Sequence, residues 1–383
     1  MRNVLFILDS YRVGGTTVST RNIVGLLDKE KYTPYVWVLS NSGLLSNMYQ
    51  DCNLIKTCFI IHALMLESYR EERSFKRMIA MMLRFFSHHS QFIKRILYKY
   101  AVRKCLKGYS FDTLVACAEG VTTDFVRFIN HPNRVAWVRC DYINYFSAET
   151  IAARRSLYSH FQHIVCVSEK TKEGFDSVYP ECAARTICIN NPQDTKLLLK
   201  QSENNDFDDR FLTNKKCIVS VGRIQEIKRF SAIPSIAIQL LNKGLDFRWY
   251  IIGDGDPSEI QLIHEEIFKN RVSDVVILLG AKSNPHYYIA KADVLVTVSR
   301  SEACPRVVNE AKVLGTPVVS TDFRTIYEFI DNYENGIVTS LDNISDSIYE
   351  LLNNKVLYEK ITHNISLFEF DNSSLMTKIY SIL

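Results

Sequence analysis

The sequence has no apolar run long enough to cross a membrane, since a spanning helix needs roughly 18 to 20 consecutive apolar residues. The N-terminal run from Met1 to Asp9 is too short for the apolar core of a signal peptide and predicts a first strand instead. A net charge of only +4 over 383 residues does not indicate a nucleic-acid-binding protein, which would show a basic stripe and a known reading module. We therefore expect no membrane span and no nucleic-acid partner, and contact with a membrane surface stays open.

Cysteine pairs and a dinucleotide-binding motif are missing as well. The ten cysteines include no C-x-x-C pair, and several lie in apolar runs, where a thiol behaves as a small hydrophobic group. We interpret them as reduced and the protein as cytosolic. The absence of a G-x-G-x-x-G motif disfavours a nicotinamide oxidoreductase.

What the chain does contain is an ordinary globular balance, with 47% hydrophobic and 23% charged residues, at a length that predicts two domains. Short apolar, β-branched runs alternate with helical patterns in two successive series, as expected for buried parallel strands. The predicted strands are Val4–Leu8, Val36–Val38, Leu114–Ala116, Val135–Val138 and Ile164–Val167, then Ile218–Val221, Tyr250–Ile252, Val276–Leu279, Val294–Val298 and Val318–Val319. The predicted fold class is α/β, with two doubly wound, Rossmann-like domains.

The polar stretch Lys200–Asp209 has no periodicity and predicts the boundary between these domains. We assign residues 1–191 to the first domain, 192–214 to a linker and hinge, and 215–365 to the second domain. Residues 366–383 contain a predicted helix that begins at Asn372 or Ser373, and its return to the first domain is a hypothesis.

Residues 66–107 do not follow the strand and helix alternation. They interleave methionine, phenylalanine, leucine and isoleucine with the basic residues Arg70, Arg73, Lys76, Arg77, Arg84, Lys94, Arg95, Lys99, Arg103, Lys104 and Lys107. The pattern predicts a basic amphipathic helical stretch. Two interpretations stay open with equal weight: contact with an anionic bilayer, and a core helix with a solvated basic face.

The clearest chemical motif lies between Ser299 and Val319. It holds two carboxylates, Glu302 and Glu310, eight positions apart. Pro305 suits the first turn of a helix, which would place Glu302 in the preceding loop and Glu310 more than one turn inside. A helix N-terminus at the carboxyl ends of parallel strands is a natural anion site, because its N–H groups and dipole both favour phosphate.

A second motif follows a predicted strand, where Gly222-Arg223 is followed by Lys228. Two cations at this spacing suit a diphosphate leaving group whose charge grows during reaction. Taken alone, this pattern is more typical of the solvated start of a helix. Together with the carboxylate motif at Ser299–Val319, it favours a phosphate-binding site.

Two glycine turns give weaker signals. Gly14-Gly15 follows the first strand and would let the backbone approach a ligand closely. Gly253-Asp-Gly255-Asp256 predicts a turn near a ligand cleft. Its two aspartates lack a complete metal-ligand set, so a structural turn is the preferred interpretation.

Together these residues resemble the family 4 retaining glycosyltransferases of the GT-B fold, over most of the chain. The C-terminal half carries the family's motifs in order, namely Gly222-Arg223, Lys228, Gly253-Asp254-Gly255, Ala292-Asp293, Glu302 with Glu310, and Gly315-Thr316-Pro317-Val318. The N-terminal half is similar at Gly14-Gly15, Glu119-Gly120, Ala136-Trp137-Val138, Val167-Ser168-Glu169 and Asn190-Asn191-Pro192.

The resemblance implies two domains facing across a cleft that closes around a nucleotide-diphosphate sugar. Arg223 and Lys228 would hold the diphosphate, Glu302 would contact the transferred sugar, and Glu310 would bind the ribose. The other implied donor-binding residues are Gly14, Gly15, Gly222, Gly253, Ala303, Cys304, Pro305 and Arg306, and Glu119 and Arg139 are candidates for the acceptor or sugar side.

The implied reaction is retaining, by attack on the same face of the sugar, with no metal and no cofactor. The resemblance favours a UDP-sugar, then a GDP-sugar, as donor and a glycan or lipid-linked glycan of a bacterial surface polysaccharide as acceptor. A peripheral position on the inner face of the membrane through residues 66–107 goes with a lipid-linked acceptor.

Two departures from the family pattern keep other functions open. Arg139 stands where the family commonly has histidine, and Ala303-Cys304 replaces the usual start of the carboxylate motif after Glu302. A non-catalytic nucleotide-sugar-binding partner of another transferase and a nucleotide-sugar epimerase are the alternatives. Intact Arg223, Lys228, Glu302 and Glu310 disfavour the first, and product analysis would separate the second.

Overall fold

The computed structural model describes residues 1–11, 14–40, 46–65, 74–204, 208–211 and 214–383. The chain divides into two compact units, one formed by Met1–Pro192 with Asn372–Leu383 and the other by Gln193–Asp371. Each unit contains one parallel sheet flanked by helices. The predicted α/β class with two doubly wound domains is confirmed.

The first unit has a seven-stranded sheet in the order β3-β2-β1-β4-β5-β6-β7. Its strands are β1 (Arg2–Leu8), β2 (Tyr32–Val38), β3 (Asn53–Leu54), β4 (Thr113–Ala116), β5 (Arg134–Val138), β6 (His163–Cys166) and β7 (Thr186–Cys188). Its helices are α1 (Gly15–Leu26), α2 (Phe59–Leu64), α3 (Ser74–His89), α4 (Gln91–Cys105), α5 (Val121–Val126), α6 (Tyr142–Tyr145), α7 (Ala148–Arg154) and α8 (Glu169–Val178). The central strand β1 is buried from Val4 to Leu8, which explains its continuous apolar run.

The second unit has a six-stranded parallel sheet in the order β10-β9-β8-β11-β12-β13. Its strands are β8 (Lys216–Val221), β9 (Phe247–Ile252), β10 (Val276–Gly280), β11 (Val294–Thr297), β12 (Val318–Thr321) and β13 (Ile337–Thr339). Its helices are α9 (Thr195–Ser202), α10 (Ile233–Asn242), α11 (Pro257–Lys269), α12 (His286–Ala290), α13 (Arg306–Val313), α14 (Ile344–Asn353) and α15 (Lys355–Ser366). All ten predicted strands are present in the two sheets, and the short strands β3, β7 and β13 were not predicted.

The structure corrects part of the predicted linker over residues 192–214. Residues Thr195–Ser202 form α9, which is counted with the second unit rather than with an aperiodic connection. The side chain of Asp194 accepts a hydrogen bond from the Leu197 backbone N–H at 3.0 Å, and Leu198 is buried. A capping residue and an apolar anchor therefore give this short segment a helix. Residues 205–207 and 212–213 of the predicted linker lie outside the described residues.

The C-terminal helix α16 (Asn372–Tyr380) belongs to the first unit. The ring of Tyr380 stacks on that of Tyr32, with centroids 5.2 Å apart. The hydroxyl of Thr113 donates a hydrogen bond to the Leu383 carbonyl oxygen at 2.6 Å, and the Asn133 side chain donates to the Ile382 carbonyl at 3.2 Å. The terminal segment thus packs against the N-terminal end of strand β4.

The predicted basic stretch over residues 66–107 forms the helices α3 and α4 from residue 74 onwards. Its first part, residues 66–73 with Arg70 and Arg73, lies outside the described residues. No helix in the described ranges combines the length and apolar character needed to cross a membrane. None of the ten cysteines, all of which are among the described residues, forms a disulfide.

Candidate functional site

The predicted residues of the second unit follow three neighbouring strands. Strand β8 lies between β9 and β11, and all three run parallel. The segments that leave them, 222–229, 253–256 and 298–305, therefore start at the same edge of the sheet. In open α/β sheets, ligands bind outside this carboxyl edge.

The glycine turn after β9 packs directly on the segment after β8. The Gly222 N–H donates to the Ile252 carbonyl at 3.0 Å, and the Ile224 N–H donates to the Asp254 carbonyl at 3.0 Å. A Cβ atom on Gly253 would lie 1.8 Å from the Gly222 carbonyl oxygen, and one on Gly255 would lie 1.9 Å from the Ile224 carbonyl oxygen. These glycines are thus required by backbone packing, whereas donor binding by Gly253 stays a prediction.

Lys228 and Glu302, which were predicted separately, lie side by side in the structure. Lys228 ends a short 3-10 turn, Glu226–Lys228, and its Nζ lies 2.7 Å from Oε1 of Glu302. The Ser299 hydroxyl donates to the same carboxylate oxygen at 2.7 Å. The Lys228 side chain is 22% exposed and that of Glu302 is 11% exposed, so the cation still reaches the surface. Arg223, the second predicted cation, has an exposed side chain next to buried Ile224.

Arg229, which the sequence analysis did not single out, connects the two segments that carry this pair. Its Nε donates to the Val298 carbonyl at 2.8 Å and its Nη2 to the Ser299 carbonyl at 2.9 Å. Its φ of 51° is left-handed, a conformation that an arginine adopts at a cost. The Arg300 N–H donates to the Ile227 carbonyl at 2.8 Å and adds a second link. No signal in the sequence marks a left-handed arginine, so the residue could only be found in the structure.

Glu310 lies on α13 with two basic neighbours. Its Oε1 accepts a hydrogen bond from Nη2 of Arg306 at 2.5 Å, and its Oε2 lies 3.8 Å from Nε2 of His286. The Glu310 side chain is 8% exposed. Helix α13 begins at Arg306, so Pro305 directly precedes the helix rather than standing in its first turn, and Glu310 lies one turn inside as predicted. The predicted residues Arg306 and Glu310 are thus paired with each other.

His286 was not predicted and begins α12 beside this pair. Burial lowers the pKa of His286, an effect that the nearby Glu310 carboxylate opposes and Arg306 reinforces. Its Nδ1 is buried without a hydrogen-bond partner in the described structure. The imidazole is therefore neutral near pH 7. It lies beside the carboxylate of Glu310, which is predicted to bind ribose.

This lowered pKa predicts an acid-dependent loss of stability. The unfolded state binds a proton near pH 6.5 and the folded state only at lower pH, so the free energy of unfolding falls as the pH drops below about 6.5. We expect wild type to lose more stability between about pH 7 and about pH 5.5 than His286→Gln in urea unfolding. His264→Gln, at an exposed position of α11, is the control and should follow wild type. Equal losses in wild type and His286→Gln would contradict the assignment.

The beginning of the carboxylate motif is held by a backbone contact. The Thr325 hydroxyl donates to the Glu302 carbonyl at 2.7 Å. Ala303 is buried and Cys304 is half-buried. The small residue at 303 therefore stands in a packed position, and its predicted contact with a donor stays a prediction.

In the first unit, the glycine pair occupies open space. Gly15 begins α1 and Gly14 precedes it in an extended conformation. A Cβ atom on either residue would meet no heavy atom within 4 Å. Packing therefore does not explain these glycines, and their predicted approach to phosphate stays a prediction. Arg12 and Val13 of the same motif lie outside the described residues.

Glu119 and Arg139, the predicted acceptor-side residues, are joined at the carboxyl edge of the first sheet. The Arg139 N–H donates to Oε2 of Glu119 at 2.8 Å, and its Nε donates to the Cys117 carbonyl at 2.7 Å. Its guanidinium also hydrogen-bonds Oδ1 of Asn191 and lies 4.5 Å from the centre of the Trp137 ring. Arg139 is thus fixed by three segments. A histidine here would keep the backbone bond to Glu119 but lose the guanidinium bonds to Cys117 and Asn191.

The second unit therefore carries Lys228, the exposed Arg223 and Glu302 on segments that leave its sheet at the carboxyl edge, and Glu310 on the helix that follows. Such an arrangement can hold a phosphorylated ligand by its charge and a sugar or ribose by hydrogen bonds to the carboxylates. Among the described residues, no group of three or more histidine, cysteine, aspartate or glutamate side chains is placed to hold a metal ion.

Sequence comparison links this unit to a known family. Residues 201–367 match the family model described as glycosyl transferases group 1. The chain is 23% identical over 247 residues to an uncharacterized glycosyltransferase of Methanocaldococcus jannaschii, with 59% of each chain covered. It is 25% identical over 171 residues to the amylovoran biosynthesis glycosyltransferase AmsD of Erwinia amylovora, covering 44% of this chain and 47% of that protein. The chain spans about half the length of the curated relatives it matches.

Solved structures extend the similarity to the whole chain at the level of the fold. The structure of Anabaena HepE in complex with UDP and glucose superposes with a TM-score of 0.77 and 15% identity, covering 100% of this chain and 99% of that one. The fold is GT-B. The resemblance to group 1 glycosyltransferases is confirmed by the family match over residues 201–367, whereas the retaining mechanism stays a prediction.

Proposed function

We propose that this chain, which carries the group 1 glycosyltransferase domain in its second unit, transfers a sugar from a nucleoside diphosphate to a glycan acceptor. The observation that carries the proposal is the Lys228–Glu302 pair, 2.7 Å apart and held by Ser299 at the carboxyl edge of the second sheet. The matched relative AmsD acts in amylovoran biosynthesis, which supports a role in polysaccharide biosynthesis.

The donor is proposed to be a UDP-sugar, with a GDP-sugar next. Support comes from HepE, which was crystallised with UDP and glucose and also with UDP-glucose. Arg223 and Lys228 hold the diphosphate, because a cation beside the leaving group stabilises the charge that develops as the sugar–phosphate bond breaks. Glu310 accepts hydrogen bonds from the ribose, and Glu302 accepts them from hydroxyls of the sugar.

The reaction is proposed to retain the configuration at the anomeric carbon. The acceptor hydroxyl attacks the face from which the diphosphate leaves, and a phosphate oxygen takes up the hydroxyl proton. No protein nucleophile is required in this scheme. The rate then depends mainly on how well the cations of the second unit stabilise the charge of the leaving diphosphate. The proposal also includes independence from metal ions, a lipid-linked glycan as acceptor and a cytosolic position at the inner face of the membrane.

Thermal unfolding with a panel of nucleoside diphosphates and their sugars, in EDTA throughout, tests the donor assignment. A ligand at 100 times its Kd should stabilise the folded chain by about 2.7 kcal/mol. We expect UDP or its sugar to raise the Tm of wild type and Glu310→Ala to lose most of this shift, because the ribose loses its acceptor.

The matched control is Glu266→Ala, which removes a partly exposed carboxylate of the same unit that pairs with Lys269. It should keep the full shift. Each shift is measured from the variant's own Tm, since Glu310→Ala leaves the partly buried Arg306 without its carboxylate partner. A shift that appears only after Mg²⁺ is added would contradict metal independence, and equal shifts in all variants would contradict the role of Glu310.

Product analysis separates the proposal from its two alternatives. A transferase moves labelled sugar onto a glycan acceptor, whereas an epimerase returns an isomeric nucleotide sugar. A non-catalytic partner would bind UDP and yield neither product, even when an acceptor is supplied.

A further inference from the structure

Helix α3 turns its apolar face towards solvent. Six large apolar residues of this helix are 48 to 67% exposed, namely Phe75, Met78, Met81, Met82, Phe85 and Phe86. At 3.6 residues per turn they form one continuous arc, opposite the buried residues Ala80 and Ser87. A helix that packed only on its own unit would bury the phenylalanines and expose the serine, so this face is built to meet something outside the chain.

Helix α4 continues the same kind of surface. Phe92, Ile96 and Tyr100 recur at every fourth position and are 72%, 50% and 53% exposed. The opposite face is fixed to the first unit, because Tyr98 and Ala101 are buried. The two helices are separated by Ser90 alone, whose side chain caps α4 by accepting from the Ile93 N–H at 3.3 Å.

Charge is distributed unevenly around this apolar surface. Residues 74–111 contain nine lysines and arginines and no aspartate or glutamate, in a chain whose net charge is only +4. On α3, Arg77 and Lys76 border the apolar arc on its two sides. On α4, Arg95, Lys99 and Arg103 form an exposed row beside the apolar one.

We propose that α3 and α4 lie on an anionic phospholipid surface. The phenylalanine and methionine side chains enter the region between headgroups and acyl chains, and the bordering lysines and arginines contact the phosphates. A second copy of this chain would bring the same positive charge against this face, which disfavours a symmetric dimer. An anionic bilayer satisfies both the apolar arc and the exposed positive charge of Arg77, Arg95, Lys99 and Arg103 beside it, whereas Lys94 is paired with Asp124.

Vesicle sedimentation of the full chain tests the proposal without any donor or acceptor, so its outcome is independent of the transferase activity. We expect strong binding to vesicles of phosphatidylcholine mixed with phosphatidylglycerol, little binding to phosphatidylcholine alone, and release by salt. Equal binding to both kinds of vesicle, or to neither, would overturn the proposal.

Two variants separate the apolar and the basic contributions. Met82→Asp with Phe85→Asp should lower the partition coefficient at least about 10-fold, because two apolar contacts are lost. Changing Arg95, Lys99 and Arg103 together to glutamine should lower it by about 100-fold. The matched control is Phe268→Asp, in which the substituted phenylalanine lies in the second unit and is 83% exposed. This variant should bind vesicles like wild type.

Fluorescence locates the surface directly. The native Trp37, Trp137 and Trp249 are at most 2% exposed and should be insensitive to lipid. A tryptophan introduced by Phe85→Trp should be quenched by brominated acyl chains, whereas one introduced by Phe268→Trp should not. Absence of quenching in vesicle-bound Phe85→Trp would reject this face, and a wild-type dimer that Phe85→Asp dissociates would assign the face to a second copy instead.

Discussion

Replacing Lys228 with alanine is expected to lower kcat by roughly 100- to 1,000-fold while leaving the chain folded. The ammonium group is proposed to stabilise the diphosphate as the sugar leaves, which is an interaction made mainly in the transition state. Its loss should affect stability little, because Lys228 pairs only with Glu302 among the contacts seen here and remains partly exposed. The measurement is initial-rate kinetics with the donor identified by thermal unfolding.

A lysine elsewhere in the same unit provides the control. Lys243 also pairs with a carboxylate, with its Nζ 2.5 Å from Asp346. It caps the C-terminus of α10, just before β9 begins, and so does not lie at the carboxyl edge that carries the predicted site. Lys243→Ala should keep kcat near that of wild type. Near-normal turnover in folded Lys228→Ala would remove this lysine from the reaction, and equal losses in both variants would indicate a general effect on folding.

Replacing Gly253 with alanine is expected to destabilise the second unit by about 3 kcal/mol or more. The new Cβ atom would lie 1.8 Å from the Gly222 carbonyl oxygen, which is backbone and cannot turn aside. The residue also has a φ of 156°, which side chains rarely adopt. Relief of the clash requires the turn to separate from the segment that leads to Arg223. Urea unfolding followed by circular dichroism measures the loss.

Gly244→Ala separates the steric from the conformational part of this effect. Gly244 has a φ of 80°, and a Cβ atom there would meet nothing within 4 Å. It should therefore cost only about 1 to 2 kcal/mol, the strain of a left-handed residue. Gly14 has an extended backbone, and a Cβ atom on it would meet no heavy atom within 4 Å. Gly14→Ala should therefore unfold like wild type. If Gly253→Ala cost no more than Gly244→Ala, the backbone contact with Gly222 would be looser than its geometry implies.

The sequence predicted the long strands because their burial on both faces leaves continuous β-branched runs. The three missed strands lie at sheet edges and have two or three residues, too few for a periodic signal. Helix α9 was missed for a related reason, since its eight residues start at a polar cap and end in the polar stretch that indicated a loop. The local sequence pattern therefore identified the long, central strands of each sheet but not the short strands at the edges.

In the candidate site, the sequence identified individual residues but not their contacts. The motifs pointed to Lys228, Glu302 and Glu310 because charged residues at the end of an apolar run are conspicuous. Their pairing with each other and with neighbours could not be read from spacing, because 74 residues separate Lys228 from Glu302 in the chain. Arg229 and His286 gave no signal, since their roles depend on a left-handed turn and on burial. Both properties arise only when distant strands come together.

The contact of α16 with the first unit has a consequence for how the chain is made. Residues 1–192 are synthesised before the second unit, yet the segment that contacts Thr113 and stacks on Tyr32 is synthesised only after all of residues 193–371. The second unit, continuous in sequence, can complete its core during translation. The first unit stays uncovered at Thr113 and Tyr32 until then, and a chain halted before residue 372 would expose this surface to chaperones and proteases.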